Sequence, residues 1–190
     1  MTGKTHFMVG AATAVTVAQP QKVLDFALLT VVGGLFGMWA DCDEKKSKIS
    51  QMSNKAIVVC TIALVLMVGT QKIDVYHPTN IVNFFLGLCI IAGVTYAGRL
   101  RPHREATHSI LAVALLGVIG YMLLPKYPYA GLVASLSHIV IDLPNKKGIT
   151  LFFPIKKRIS FNICKSDGIV STALLTIATL MMLRGFILVF

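Results

Sequence analysis

Long apolar runs separated by compact basic clusters dominate this chain. They extend from about Phe7 to Ala18, Val23 to Ala40, Ala56 to Gly69, Ile81 to Gly98, Ala106 to Leu124, Tyr129 to Leu143 and Gly168 to Phe190. Within each run the apolar residues are nearly continuous instead of marking one face, so lipid is their expected solvent. A helical crossing needs about 20 apolar residues, and 190 residues at 55% hydrophobic and 14% charged supply about seven of them with short loops. An ordinary soluble domain and a disordered chain are both excluded. The expected fold is all-α, a polytopic transmembrane helical bundle of about seven spans formed by residues 1–190 as a single domain. The first and sixth spans are short and suit positions where a polar end lines a protein cavity.

Charge sets the expected orientation. Threading the spans alternately puts Lys4, Lys45, Lys46, Lys48, Lys55, Arg99, Arg101, Arg104, Lys146, Lys147, Lys156, Lys157, Arg158 and Lys165 on one side, which is 14 of the 18 cations. Lys and Arg collect on the cytoplasmic side of a bilayer, so the amino terminus is expected inside. The net charge of +10 thus records topology, and no nucleic-acid partner is expected. The opening residues also have the outline of a signal peptide, but Gly10, Thr13 and Thr16 interrupt its apolar middle. Cys42, Cys60, Cys89 and Cys164 have neither metal-site nor disulfide-scaffold spacing and read as free thiols.

The same threading gathers His6, Asp41, Asp43, Glu44, His103, Glu105, His108, His138, Asp142 and Asp167 at the basic end, near span termini. Six of the eight acids and four of the five histidines therefore converge from separate stretches, leaving Asp25, Asp74 and His77 for the other face. An ionised group near the centre of a membrane helix costs roughly 2.5 to 3.5 kcal/mol, less near the interface, so such a gathering calls for a compensating cation. His138 and Asp142 are four apart and share one helix face. Asp41 and Asp43, read as an extended segment, project the same way. His103 and His108 are five apart, and with Pro102 and Thr107 nearby they approach from a loop and a helix start. Each element also has a plain reading: an intrahelical hydrogen bond for His138 with Asp142, a solvated turn for Asp41 to Lys48, an interfacial residue for His6. Convergence favours a site.

These residues, in this order, resemble the YdjM family of bacterial inner-membrane proteins, for which a membrane-bound, metal-dependent hydrolase activity is inferred. The resemblance rests on Thr5-His6 before a small-residue span, Asp41-Cys42-Asp43, the run His103-Arg104-Glu105-Ala106-Thr107-His108-Ser109, and Leu136-Ser137-His138-Ile139-Val140-Ile141-Asp142. Ala40 stands where the family often has proline, and Glu105 where it often has glycine. More distantly, the early histidine, the D-x-D acids and the H-x-x-x-D helix are similar to the ligand set of the all-helical zinc-dependent phospholipases C.

The resemblance implies a hydrolase of the bacterial inner membrane. In that reading His6, Asp41, Asp43, His108, His138 and Asp142 hold one or two divalent ions, with Zn2+ favoured by the mixed N/O set and Mn2+ or Fe as alternatives. His103, Arg104 and Glu105 form the catalytic group, Arg104 gripping a phosphate and Glu105 accepting a proton while a metal-activated water cleaves a lipid or lipid-linked phosphoester at the cytoplasmic face. The bilayer and its anionic lipids are the expected partners, attracted by Lys156, Lys157 and Arg158. Two other readings use the same residues: a metal or proton transporter, and a non-catalytic scaffold with a structural metal. Trp39, Tyr127 and Tyr129 are expected at the interface, Gly33, Gly34, Gly37, Gly117 and Gly120 at close helix contacts, and Ser166 or Asp167 as a cap of the last helix.

Overall fold

The computed structural model describes residues 1–43, 78–100 and 104–189, with the side chains of residues 42–43, 78–82, 84–85, 97 and 99 outside the description. The apolar stretch Ala56–Gly69, the basic residues Lys45 to Lys55, Glu44 and His103 also lie outside it. The described residues are all-helical: α1 (Gly3–Ala18), α2 (Val23–Met38), a 3-10 turn (Trp39–Asp43), α3 (Pro78–Arg99), α4 (Ile110–Leu123), α5 (Ala130–Asp142) and α6 (Ile169–Val189). Among them two segments, Val23–Asp41 and Ile169–Val189, are long and apolar enough to cross a membrane alone. Leu86–Tyr96, Ile110–Leu123 and Ala130–Asp142 are shorter apolar helices. A seven-span count therefore exceeds what the described helices establish.

Local chemistry sets the helix ends. The Thr2 hydroxyl accepts from the Thr5 N–H and starts α1, which stops at Gln19 in the left-handed region, immediately before Pro20. Ser109 caps α4 by accepting from the Ala112 N–H at 3.2 Å. Pro144 follows the C-cap of α5 and ends it. The last helix starts at Ile169, and Ser166 instead accepts a hydrogen bond from Asn145 Nδ2 at 2.7 Å, so the expected capping role falls away.

Helix α1 is central, packed on α2, α5 and α6, and α5 also meets α2 and α4. Glycines set the closest approaches. A Cβ on Gly10 would stand 2.5 Å from the Gly33 carbonyl oxygen, and one on Gly37 would stand 2.6 Å from that of His6, so α1 and α2 touch backbone to backbone. Gly120 meets Gly131 in the same way where α4 turns back into α5. Helices α3 and α4 are antiparallel, with Gly87 beside Leu123 and Gly98 beside Thr107. Helices α1 and α6 run parallel, with Thr5 bonded to Ser171 at one end and Val15 beside Gly185 at the other. His6, the 3-10 turn, Ser109 and Asp142 consequently share one end of the bundle.

The distribution of side chains is that of a protein with an apolar exterior and a polar inner end. Leu111, Val118, Tyr121, Leu180, Leu183 and Ile187 are exposed, whereas Thr5, His6, His108, Ser109, His138 and Asp142 are buried. Of α6, Ser171, Ala178 and Met182 are the buried residues. Trp39 was expected at an interface but is 5% exposed, its indole N–H donating to Thr95 Oγ1 at 2.9 Å. A pocket between α2 and α3 serves an indole better than the rim, because its ring is apolar and its one donor finds an acceptor there. Between α5 and α6 the chain folds back through bridges pairing Asn145 with Cys164 and Ile149 with Ile159, and it returns to the polar end where the Thr150 N–H donates to the Arg104 carbonyl.

Candidate metal site

Five side chains from four parts of the chain meet at that end. His6 comes from the first turn of α1, Asp41 from the 3-10 turn after α2, His108 from the residues that lead into α4, and His138 and Asp142 from the last turns of α5. Two overlapping groups of donors, His6 with His138 and Asp142, and Asp41 with His108 and His138, each lie within 4.8 Å of one another. His138 belongs to both.

Distances place all three Nε2 atoms between the two carboxylates. His6 Nε2 is 3.2 Å from Asp142 Oδ1 and 3.9 Å from Asp41 Oδ2. His108 Nε2 is 3.5 Å from Asp41 Oδ1 and 3.9 Å from Asp142 Oδ2. His138 Nε2 is 3.9 Å from Asp41 and 4.0 Å from Asp142, the latter being the i, i+4 pair that the spacing predicts. The His6 and His138 rings stack at 3.9 Å, and His108 stands edge-on to His138. Four of these five side chains are 0–1% exposed, and Asp41 is the most exposed at 14%.

Second contacts orient the rings. His138 Nδ1 lies 2.7 Å from the Gly37 carbonyl oxygen, which only accepts, so Nδ1 carries the proton and Nε2 turns a bare lone pair toward the other donors. His108 Nδ1 is 3.0 Å from the Thr107 hydroxyl, and its Nε2 is 3.2 Å from His138 Nε2. Metal-binding histidines are held in this manner, one nitrogen fixed by an oxygen and the other turned to the ion, and here the Nε2 atoms of His108 and His138 face each other and Asp41. His6 Nδ1 is buried without a hydrogen-bond partner among the described residues, while His6 Nε2 faces Asp142 Oδ1 and Asp142 Oδ2 faces Arg104.

Helix electrostatics point the same way. Asp142 is the last residue of α5 and Asp41 sits just past α2, so both acids lie at helix carboxyl ends, where the partial charge is already negative. Positive charge must answer them. Arg104 Nη2 is 3.3 Å from Asp142 Oδ2, and the Met1 α-amino group is 2.5 Å from Oδ1.

Several expectations change in detail. Asp41 and Asp43 are in a 3-10 turn, not an extended segment, so the period-two alternation of a strand does not apply to the pair. The Asp43 side chain and His103 lie outside the described residues. Arg104 is buried against Asp142, and Glu105, half-buried, belongs to neither donor group. The sequence reading missed the Gly37 carbonyl, the Thr107 hydroxyl and the Met1 α-amino group. Gly37 was legible only as a packing residue, because a backbone acceptor has no signature in residue type.

A family model described as YdjM inner membrane protein matches residues 1–189 of the chain. No curated protein matches, and no solved structure does.

Proposed function

We propose, for a chain that belongs to the YdjM inner membrane protein family, that the five-residue cluster holds a divalent metal and hydrolyses a lipid or lipid-linked phosphoester at the cytoplasmic face of the bacterial inner membrane. The carrying observation is the pair of donor groups that share His138. Three imidazoles and two carboxylates are a donor set suited to zinc, with manganese or iron as alternatives, and more donors than one tetrahedral ion requires leaves room for a second ion. A divalent ion held there acidifies water and stabilises charge that develops on a phosphoryl oxygen.

The chain's own residues do the rest. His6, His108 and His138 bind through Nε2, with His138 fixed by the Gly37 carbonyl and His108 by Thr107. Arg104, beside Asp142, offers its planar guanidinium to a phosphate oxygen. Glu105 and His103, next to it in sequence, are the proton-transfer candidates. Asp41, the most exposed of the five, is the donor an incoming polar head meets first. The burial of the other donors keeps bulk water from competing. Lys156, Lys157 and Arg158 attract anionic headgroups to the same end.

The seven-crossing topology with the amino terminus inside belongs to this proposal. It is supported by α2 ending at the polar end while α3 runs toward that end, with Gly87 beside Leu123 and Gly98 beside Thr107.

The test is metal content and phosphoesterase activity of detergent-purified protein, with and without chelator, for the native chain and for His138→Ala and Asp142→Ala. Metal bound near stoichiometrically and lost in both variants, with chelator-sensitive release of phosphate from a lipid phosphoester, is the expected result. Unchanged metal content in both variants refutes the site. Metal-dependent binding without hydrolysis of any lipid phosphoester refutes the activity.

A further inference from the structure

A second cavity adjoins the metal cluster and differs from it in chemistry. A cleft of about 200 Å3 lies between α3 and α4 and is lined by Trp39, Gly98, Thr107, Ala112, Leu115 and Phe153, among others. Its walls are apolar. The one polar group of Trp39 is bonded to Thr95, so the indole presents carbon to the cleft. Thr107 is shared between the two sites. Its hydroxyl meets His108 Nδ1, while its methyl is the atom that a Cβ on Gly98 would meet at 2.8 Å. Trp39 is likewise two residues from Asp41. The upper end of the cleft therefore abuts the donor cluster, and its lower end runs along α4 past Leu115, about 7–8 Å below the helix start at 1.5 Å per residue.

Access is from the apolar exterior of the bundle. Leu111 and Leu115 are 53% and 39% exposed at the lip, while Ala112, between them in sequence, is 5% exposed and forms the floor. The absence of a side chain at Gly98 keeps the wall opposite Thr107 low. A volume of 200 Å3 admits roughly six or seven groups of about 30 Å3 each, a length of hydrocarbon chain. A helix, about 10 Å across with its side chains, does not fit.

The geometry points to a chain-binding site: the α3–α4 cleft holds one hydrocarbon chain of a phosphate-bearing membrane lipid whose head lies against the His108 and Asp41 end of the cluster. This rests on the proposed metal-site reading for the head and on the cleft alone for the chain. An amphiphile fits because the two cavities share Thr107 and are oppositely polar, one taking the charged end and the other the apolar end. Ala112 and Leu115 become the residues that decide which chains are accepted.

The experiment uses the full chain in detergent with a phosphatidic acid analogue that carries a diazirine partway along one acyl chain, followed by photolysis and mass mapping of the labelled peptides. Label is expected, at residue resolution, on Gly98 and Ala112, which are buried, in addition to any on the exposed lip residues Leu111 and Leu115. Ala112→Trp fills the floor and lowers that label at least tenfold, while label on the exposed α6 residues Leu180 and Leu183 is unchanged. Leu115→Trp, at the half-exposed lip, gives the same loss if the floor substitution impairs folding. A long-chain alkyl phosphate competes and inorganic phosphate does not.

Label on the cleft no stronger than on α6, or undiminished by both tryptophans, overturns the proposal, as does competition by inorganic phosphate equal to that of the alkyl phosphate. Metal content measured on the same samples separates the two readings: cleft labelling without metal retains the chain site and removes the metal site, and metal without cleft labelling does the reverse.

Discussion

Replacing Gly37 by alanine tests whether helix packing and the donor cluster are one device. A Cβ at Gly37 would stand 2.6 Å from the His6 carbonyl oxygen and 2.7 Å from Gly10 Cα. A carbon and an oxygen without a bond between them rest at about 3.3–3.6 Å, so α1 and α2 must part by roughly 0.7–1 Å. Overpacking of this kind costs about 1–3 kcal/mol. Alanine also regains about 0.5–1 kcal/mol over glycine inside a helix, which obscures the first effect unless it is subtracted. Gly93→Ala supplies the subtraction, because Gly93 lies within α3 and a Cβ there would meet nothing within 4 Å. The difference between the two variants isolates the steric cost, about 1–3 kcal/mol or roughly 2–12 °C in Tm for a chain of this size.

The site should register the same displacement. His6 rides on α1, and the Gly37 carbonyl that holds His138 rides on α2, so parting the helices moves one donor and loosens the orienting bond of another. Loss of such outer support typically lowers metal affinity about 10- to 100-fold. The assays are thermal unfolding in detergent and metal titration. If Gly37→Ala matches Gly93→Ala in both Tm and metal affinity, the backbone contact between α1 and α2 is not what sets the cluster.

Further predictions concern single contacts. Thr107→Val keeps the shape of the side chain and removes its hydroxyl from His108, so metal affinity should fall about 10- to 100-fold, as measured by competition with a metallochromic chelator, with a stability loss of about 1–3 kcal/mol from the buried ring nitrogen left behind. Lys126, 54% exposed, donates to Asp25 Oδ2 at 2.7 Å, and that hydrogen bond holds its ammonium above the ordinary lysine value of 10.5. A raised pKa means stability that is fully present below the ordinary value and lost as pH rises through the folded one. Lys126→Ala should therefore cost no more than about 1 kcal/mol at pH 7, with the Tm gap to the native chain closing above pH 10.5. A gap that widens at alkaline pH would contradict the assignment.

What the sequence by itself determined is the part carried by residue type and by separation along one helix. Continuous apolar runs, broken at Pro20 and Pro144, made the described residues all-helical, and the four-residue interval put His138 and Asp142 on one face because a helix repeats every 3.6 residues. The glycines of α2 and α4 announced close helix contacts. The tertiary structure alone decided which of the histidines and acids gathered at one end come within reach of a common ion, since His6, Asp41, His108 and His138 belong to elements whose relative positions depend on contacts distant in sequence. It also decided the conformation after α2, where a 3-10 turn replaced the extended reading. The Gly37 carbonyl, present in every residue type, acquired its role at His138 only when α2 and α5 came together. Helix periodicity is a local property of the backbone and can be read from spacing, whereas coordination is a matter of a few ångströms between elements and is fixed only by packing.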